Sequence, residues 1–97
     1  MENKKPLISI IILNYNAGDL ILNCLDSVVQ TKYENYEIIL VDNISTDNSH
    51  KKCKEKFKEI QLIENSKNYG YCEGNNIGIR KANGEFIVIL NPDTIVE

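Results

Sequence analysis

The sequence has no tryptophan, only two prolines and no apolar run of membrane-spanning length. Its longest apolar stretch, Ile8 to Leu13, is already interrupted by Ser9, whereas a membrane helix needs roughly 20 predominantly apolar residues. The N-terminal residues contain no uninterrupted apolar segment and no small-residue cleavage site, so we expect no secretory signal. Positive charge is not in surplus either. Eleven Lys and Arg residues against fourteen Asp and Glu residues argue against nucleic acid as the main partner.

Glycine-rich phosphate motifs and paired-cysteine motifs are also missing. Neither GxxxxGK[ST] nor GxGxxG follows the first apolar segment, which argues against a P-loop NTPase and a dinucleotide-dependent dehydrogenase. The three cysteines are odd in number, widely spaced and without a CxxC pair, which favours a cytosolic chain with reduced thiols. The spacing of His50 and Cys53 is a weak zinc pattern, because structural zinc normally has four ligands.

What the sequence does contain is typical of one globular domain spanning residues 1–97. Hydrophobic residues make up 42% and charged residues 26%, which is the composition of an ordinary folded protein. Four short apolar segments alternate with three segments of helical character. We predict strands at Leu7–Leu13, Tyr36–Val41, Ile60–Ile63 and Glu85–Leu90, and helices beginning at Gly18-Asp19, from a cap at Ser45, Thr46 or Asp47 to Lys58, and at Tyr71–Asn83.

This alternation predicts an α/β fold, with a mostly parallel sheet and helices on both faces, as in a Rossmann-like half-domain. The nearly continuous apolar character of the strands predicts burial on both sides, the fourth strand included. If the fourth strand returns beside the first, the strand order is 3-2-1-4. Gly74 and Gly78 are expected to weaken the third helix.

Polar clusters follow three of the four predicted strands. They are Asn14-Tyr15-Asn16, Asp42-Asn43 and Asn91-Pro92-Asp93. Ligands of open parallel sheets bind beyond the carboxyl ends of the strands, near the point where the strand order reverses. That point lies between strands 1 and 4, so we expect Tyr15 and Asp93 to flank the binding crevice.

The residue types in these clusters suit a nucleotide that carries a diphosphate. Tyr15 offers a flat ring for stacking, and Asp42 and Asn43 offer hydrogen-bonding groups for a base or ribose. Asp93 is a hard oxygen ligand of the kind that Mg²⁺ or Mn²⁺ uses together with substrate phosphates. Each cluster also has a purely structural interpretation as a turn, a cap or packing. Arg80 could reach a phosphate or remain a solvated charge.

Four segments together resemble the N-terminal half of a family 2 glycosyltransferase with the GT-A fold. They are ISIIILNYNAGDLILNCLDSV, YEIILVDNISTDNS, NYGYCEGNNIGIRKANGEF and ILNPDT, which span nearly the whole chain. The resemblance implies a nucleotide-sugar donor, a divalent metal (Mg or Mn) and an inverting transfer to a hydroxyl acceptor on a glycan or lipid-linked glycan. It also implies that Tyr15 lies against the base, that Asp42 and Asn43 contact base and ribose, and that Asn91-Pro92-Asp93 stands for the DxD motif.

The predicted site follows from both arguments. Its nucleotide-binding residues are Asn14, Tyr15, Asn16, Asp42, Asn43, Arg80 and Asn91, and its metal ligand is Asp93. The NPD form resembles the rhamnosyltransferase-like branch of the family. Asn75 and Asn76 on the third helix are interpreted as a buried hydrogen-bonding pair that holds loops, in preference to ligand contacts.

GT-A catalytic domains are usually much longer than this chain, which ends four residues after Asp93. We therefore expect the acceptor half, with its catalytic base, to be absent from these residues, and we assign no catalytic residue within them. We expect the chain to be cytoplasmic, or membrane-peripheral within an intact enzyme. We also expect self-association through the edge of the fourth strand. The alternative is a non-catalytic nucleotide-binding or interaction module that retains the half-fold.

Overall fold

Four strands and three helices alternate along residues 5–96, the part of the chain that the computed structural model describes. All strands are parallel, and their order in the sheet is β3-β2-β1-β4, which confirms the predicted topology. The elements are β1 (Ile8–Asn14), α1 (Asp19–Val29), β2 (Tyr36–Asp42), α2 (Ser49–Lys56), β3 (Gln61–Glu64), α3 (Gly70–Lys81) and β4 (Phe86–Leu90).

The helices cover both faces of the sheet, as predicted. Alternate residues of a strand point to opposite faces, so β1 and β2 each contribute to two cores. On one face, Ile12 and Leu40 pack with α1 and α2 around the buried Cys24 and Cys53. On the other face, Ile11, Ile39 and Val41 pack against α3.

The glycines of α3 let this helix lie close to the sheet. A Cβ atom on Gly78 would lie 2.7 Å from the Cγ2 atom of Ile11 and 2.9 Å from that of Val41. A Cβ atom on Gly74 would lie 2.6 Å from the Cδ1 atom of Leu13. Glycine is a poor helix former, but here the close approach of helix and sheet requires it.

The predicted start and end of α2 were wrong. The helix begins at Ser49 and ends at Lys56, and Asn48 precedes it with a positive φ of 62° and no capping hydrogen bond from its side chain. The side chain of Asp47 instead accepts the backbone N–H of Ser49, at 2.9 Å, from one residue before the cap position. The loop between β2 and α2 is consequently longer than predicted and spans residues 43–48.

The prediction that β4 is a buried strand was also wrong. Phe86 is 59% exposed, and Ile87, Val88 and Ile89 are exposed as well. The reason is its position, because β4 is the edge of the sheet and pairs only with β1 among the described residues. The segment after β4 turns at residues 91–94 and then runs along α1, where the N–H of Val96 donates to the Ser27 hydroxyl at 2.9 Å.

No helix formed by residues 5–96 combines the length and the apolar character that crossing a bilayer requires. The longest, α3, has 12 residues.

Candidate functional site

The carboxyl ends of the four strands meet at one edge of the sheet, because all strands are parallel. We call this the carboxyl edge. It carries the loops that follow β1, β2, β3 and β4, together with the first turn of α3. Seven of the eight predicted site residues lie on this edge, and Arg80 does not.

A buried hydrogen-bond network joins the ends of β1 and β2. The parallel register places Asn14 directly beside Asp42. The Asn14 amide nitrogen donates to the Asp42 carboxylate at 2.9 Å and to the Ser49 hydroxyl at 2.8 Å. The same carboxylate accepts the Ser45 hydroxyl at 2.6 Å and the Ser45 backbone N–H at 2.8 Å. Asp42 is only 1% exposed, so the hydrogen bonds from Asn14 and Ser45 satisfy a carboxylate that is buried from water.

The loops after β1 and β2 are joined by a second set of hydrogen bonds at the surface. The side-chain oxygen of Asn16 accepts the backbone N–H groups of Thr46 and Asp47, at 2.7 and 3.2 Å. In return, the Asp47 carboxylate accepts the N–H of Gly18 at 3.0 Å. Hydrogen bonds from Ser49 and Gly18 lower the pKa of the Asp47 carboxyl, which therefore stays ionised. Asn16 thus positions the neighbouring loop.

Ile44 lies in this loop with a positive φ of 57°. A β-branched residue rarely adopts this left-handed conformation, since its Cβ atom crowds the following carbonyl. The hydrogen bonds between Asp42 and Ser45 on either side hold the backbone there. The loop is therefore strained at one exposed position.

Asn43 holds the segment that leads into α3. Its amide nitrogen donates to the carbonyl of Gly70 at 3.2 Å, and its amide oxygen accepts the Asn65 side chain at 2.8 Å. The residue is buried, so within the described structure it connects the loop after β3 to the end of β2.

Tyr15 differs from the buried Asn14, Asp42 and Asn43 because it is open to solvent. It follows directly after the last residue of β1, and 52% of its surface is exposed. An exposed aromatic ring beside a strand end has a free face for another flat group.

The end of β4 is the second open part of the carboxyl edge. Both Asn91 and Asp93 are exposed, and the amide oxygen of Asn91 accepts the Tyr71 hydroxyl of α3 at 3.3 Å. Beneath this turn, the thiol of Cys24 points at the carbonyl of Asn91 across 3.7 Å. Burial, with a smaller contribution from the negative charge of Asp93, raises the pKa of this thiol to about 11.

The structure places Arg80 away from the predicted site. Arg80 lies in the last turn of α3, about 15 Å along the helix axis from Gly70. Its guanidinium donates to the Glu73 carboxylate at 2.7 Å and lowers the pKa of that carboxyl. Phosphate contact by Arg80 stays a prediction that this geometry does not favour.

The interpretation of Asn75 and Asn76 as a buried hydrogen-bonding pair was wrong. Asn75 is 4% exposed, but neither its amide nitrogen nor its amide oxygen has a hydrogen-bond partner in the described structure. Asn76 is exposed. The two residues are neighbours on a helix and point in different directions, about 100° apart.

Residues 5–96 contain no group of three or more His, Cys, Asp or Glu side chains arranged to hold a metal ion. The His50 and Cys53 pair is no exception. Burial raises the pKa of the Cys53 thiol to about 12, so without a metal ion it remains protonated near neutral pH.

Sequence reasoning missed four residues that build this edge, namely Ser45, Asp47, Ser49 and His50. The first two were considered only as helix caps. The signal that could have found them is the density of Ser and Asp between residues 42 and 49, because such side chains commonly bond to the backbone of neighbouring turns.

Comparisons with known proteins identify the family of this chain. Residues 9–97 match the family described as Glycosyl transferase family 2. The chain belongs to this family. Among its relatives, it is 35% identical over 94 residues to the glycosyltransferase GlyG of Streptococcus pneumoniae, with 94% of this chain and 31% of GlyG covered.

Two solved structures show the GT-A likeness of this family 2 chain. One is the mannosyltransferase PcManGT from Pyrobaculum calidifontis in complex with GDP-Man and Mn²⁺, at a TM-score of 0.85 and 27% identity, covering 95% of this chain and 29% of that one. The other is residues 1–349 of S. aureus TarS in complex with UDP-GlcNAc. Its TM-score is 0.82 and its sequence identity 25%, and the match covers 89% of this chain and 26% of the TarS chain. The chain spans between 12% and 38% of the length of the curated relatives it matches.

Proposed function

We propose that this family 2 chain forms the nucleotide-sugar-binding part of an inverting glycosyltransferase. The observation that carries the proposal is the position of Tyr15 and Asp93 at the ends of two adjacent strands. Both are exposed, and they follow β1 and β4, the two strands between which the strand order reverses. Related proteins were solved with nucleotide sugars bound, GDP-Man in one case and UDP-GlcNAc in another.

In this proposal the nucleotide lies across the carboxyl edge. The ring of Tyr15 stacks on the base, and Asp42 and Asn43 contact base or ribose from the end of β2. Both of these side chains are already held by hydrogen bonds, so they need little reordering when a ligand arrives. Asn14 and Asn16 act on the ligand indirectly, because their hydrogen bonds fix the two loops that surround it.

Asp93 is the proposed ligand of a divalent metal. One exposed carboxylate next to a diphosphate is a donor set that fits Mg²⁺ or Mn²⁺, which commonly combine one or two carboxylates with substrate phosphates. When bound, such an ion would supply positive charge to the leaving diphosphate. Asn91 supports the turn through its contact with Tyr71 and offers a weaker amide oxygen.

The transfer itself needs groups that we place outside residues 1–97. An acceptor hydroxyl would attack the anomeric carbon from the face opposite the diphosphate, while a general base removes its proton. We propose that this base and the binding site for a glycan or lipid-linked acceptor belong to another part of a longer protein. The NPD sequence also supports a rhamnosyltransferase-like branch, which donor specificity will test.

The proposal is tested by titrating the chain with UDP-, dTDP- and GDP-sugars in the presence and absence of MnCl₂. We expect binding that strengthens with Mn²⁺ and no sugar transfer to a hydroxyl acceptor by these residues alone. Equal nucleotide affinity in the presence and absence of MnCl₂ would favour a non-catalytic nucleotide-binding module. Turnover would contradict the placement of the base outside the chain.

We also propose that the chain self-associates through β4. Its side chains are exposed, its outer edge pairs with nothing in the described residues, and a net charge of −3 gives little protection against strand pairing. Sedimentation at tens of micromolar should show dimers or larger species. Ile87→Lys, which places a charge on the exposed edge, should shift the distribution to monomer. A monomeric parent chain would contradict the proposal.

A further inference from the structure

A single histidine lies buried between two carboxylates at the carboxyl edge. His50 is the only histidine in the sequence and occupies the first turn of α2. Its Nε2 atom lies 3.3 Å from the Oε1 atom of Glu64, the last residue of β3. Its Nδ1 atom lies 3.6 Å from the Oδ1 atom of Asp42, the last residue of β2, and forms no hydrogen bond to any residue between 5 and 96. The ring thus bridges the ends of two neighbouring strands.

This arrangement suits the charged ring better than the neutral one. A neutral imidazole carries one N–H, so one of its nitrogens presents a lone pair. In His50 both nitrogens face carboxylate oxygens, and either neutral tautomer would therefore direct a lone pair at a carboxylate. The imidazolium has an N–H on each nitrogen and is attracted to both Asp42 and Glu64.

The other titratable groups around this end of α2 keep a constant charge near neutral pH. Hydrogen bonds lower the pKa of Asp47, which stays ionised. Burial raises the pKa of Cys53 to about 12, and that of Cys24 on the facing helix α1 to about 11, so both thiols stay neutral. The acidic groups that face the His50 ring directly are Asp42 and Glu64.

We propose that His50 is a positioning residue of the donor site, whose protonated ring holds the Asp42 carboxylate in place for nucleotide binding by linking the end of β2 to the end of β3. The inference rests on the proposed function, in which Asp42 contacts base or ribose. Within the described residues the Oδ2 atom of Asp42 accepts one hydrogen bond, from the Ser45 N–H, so this buried oxygen still has an unused lone pair. When His50 loses its proton, Asp42 loses the adjacent positive charge, and nucleotide affinity falls as the pH rises.

Because the sequence has one histidine, NMR can follow this ring without ambiguity. The imidazole resonances are recorded from pH 5 to 8.5 for the chain alone, then with saturating UDP or GDP and MgCl₂. If the protonated form binds more tightly, linkage requires bound nucleotide to move the titration midpoint to higher pH. A threefold preference corresponds to a shift of about half a pH unit. An unchanged midpoint in the presence of bound nucleotide would overturn the inference.

Calorimetric binding of the same nucleotides gives the second measurement. We expect His50→Gln, which keeps a polar side chain but cannot titrate, to bind about three- to tenfold more weakly at low pH and to lose the pH dependence. Lys51→Gln is the matched control, because it removes an exposed positive charge from the neighbouring position of α2. An equal loss of nucleotide affinity in both variants would attribute the effect to the change in net charge and overturn the role of His50.

The outcomes separate the two proposals. Nucleotide binding with no shift in the His50 titration leaves the proposed function standing and overturns this inference. Absence of UDP and GDP binding at every pH, in a chain whose NMR spectrum is that of a folded protein, overturns the proposed function and this inference with it.

Discussion

The two parts of the carboxyl edge look alike in sequence and differ sharply in structure. At the ends of β1 and β2, Asn14 and Asp42 are buried and hydrogen-bonded to each other and to neighbouring serines. At the end of β4, Asn91 and Asp93 are exposed, and of their two side chains only that of Asn91 forms a hydrogen bond in the described residues, with Tyr71. An asparagine and an aspartate after a strand are therefore buried and held by hydrogen bonds in one place and exposed in the other.

The difference follows from what lies next to each strand. β1 and β2 are the central strands, and the loops beyond them fold against each other and against the start of α2. Buried polar groups must be paired, so the side chains at these positions form a closed network. Among residues 5–96, β4 has a neighbouring strand on one side only, and its terminal turn is accessible. Substitutions at the two aspartates should therefore act on different properties.

The largest expected effect is on stability, at Asp42. In Asp42→Ala, the Asn14 amide and the Ser45 N–H and hydroxyl lose a charged acceptor inside the protein. We expect the free energy of unfolding to fall by about 3 kcal/mol. Urea unfolding followed by circular dichroism measures the change. Asp93→Ala is the control and should stay within about 0.5 kcal/mol of the parent. Equal losses of unfolding free energy in the two variants would contradict the difference between the buried and the exposed part of the carboxyl edge.

Next in size is the effect of Tyr15→Ala on nucleotide binding. The exposed ring contributes little to the core, but stacking of a base on an aromatic side chain is worth about 1–3 kcal/mol. We expect calorimetric affinity for UDP or GDP to fall about tenfold or more, with unfolding unchanged. Tyr15→Phe should bind as the parent does, since it keeps the ring. Weakened binding in the phenylalanine variant would assign the effect to the hydroxyl.

A smaller effect separates Asp93 from Asn91. Asp93→Ala should remove the enhancement of nucleotide binding by Mn²⁺, which we expect to be about tenfold in the parent chain. Asn91→Ala should reduce this enhancement only in part, because an amide oxygen is a weaker ligand than a carboxylate. Titrations of each variant with and without MnCl₂ provide the comparison. An enhancement that survives in Asp93→Ala would remove this residue as the metal ligand.

The smallest expected effect concerns Ile44, in the loop between β2 and α2. Ile44 has a positive φ, a conformation that asparagine tolerates far better than a β-branched residue. We expect Ile44→Asn to raise the free energy of unfolding by about 0.5–1 kcal/mol in urea denaturation. Ile44→Val keeps the branch at Cβ and should leave stability unchanged. Destabilisation by asparagine would show that the Ile44 side chain contributes more by packing than its conformation costs.

Much of the fold could be predicted from the sequence, because its signals are local. Short β-branched runs separated by helical segments predict parallel strands joined by crossover connections. Such connections allow few strand orders, and 3-2-1-4 is one of them. The start of α2 could not be predicted in this way. The side chains of Ser45 and Asp47 contact Asn16 and Gly18, about thirty positions earlier in the chain, and those contacts decide the shape of the loop.

The site was predictable to the level of residues at strand ends but not to the level of their exposure. The register that pairs Asn14 with Asp42 buries both, and no pattern in the sequence distinguishes this aspartate from Asp93. The apolar sequence of β4 predicts a covered strand, yet burial depends on what packs against it. The bridging position of His50 arises from the relation of α2 to two strand ends, which only the three-dimensional structure provides.

The most direct test of the account is to map where a nucleotide binds. Backbone amide shifts of the chain are recorded by NMR during titration with UDP and GDP in MgCl₂. We expect the largest changes at residues 15–18, 42–43 and 91–94, on the carboxyl edge. A cleft of about 440 Å³, lined by residues that include Val29, Phe57 and Lys58, lies near the amino ends of the strands and is the natural competitor. Shifts confined to that cleft, or no shifts at all, would contradict a donor site at the carboxyl edge.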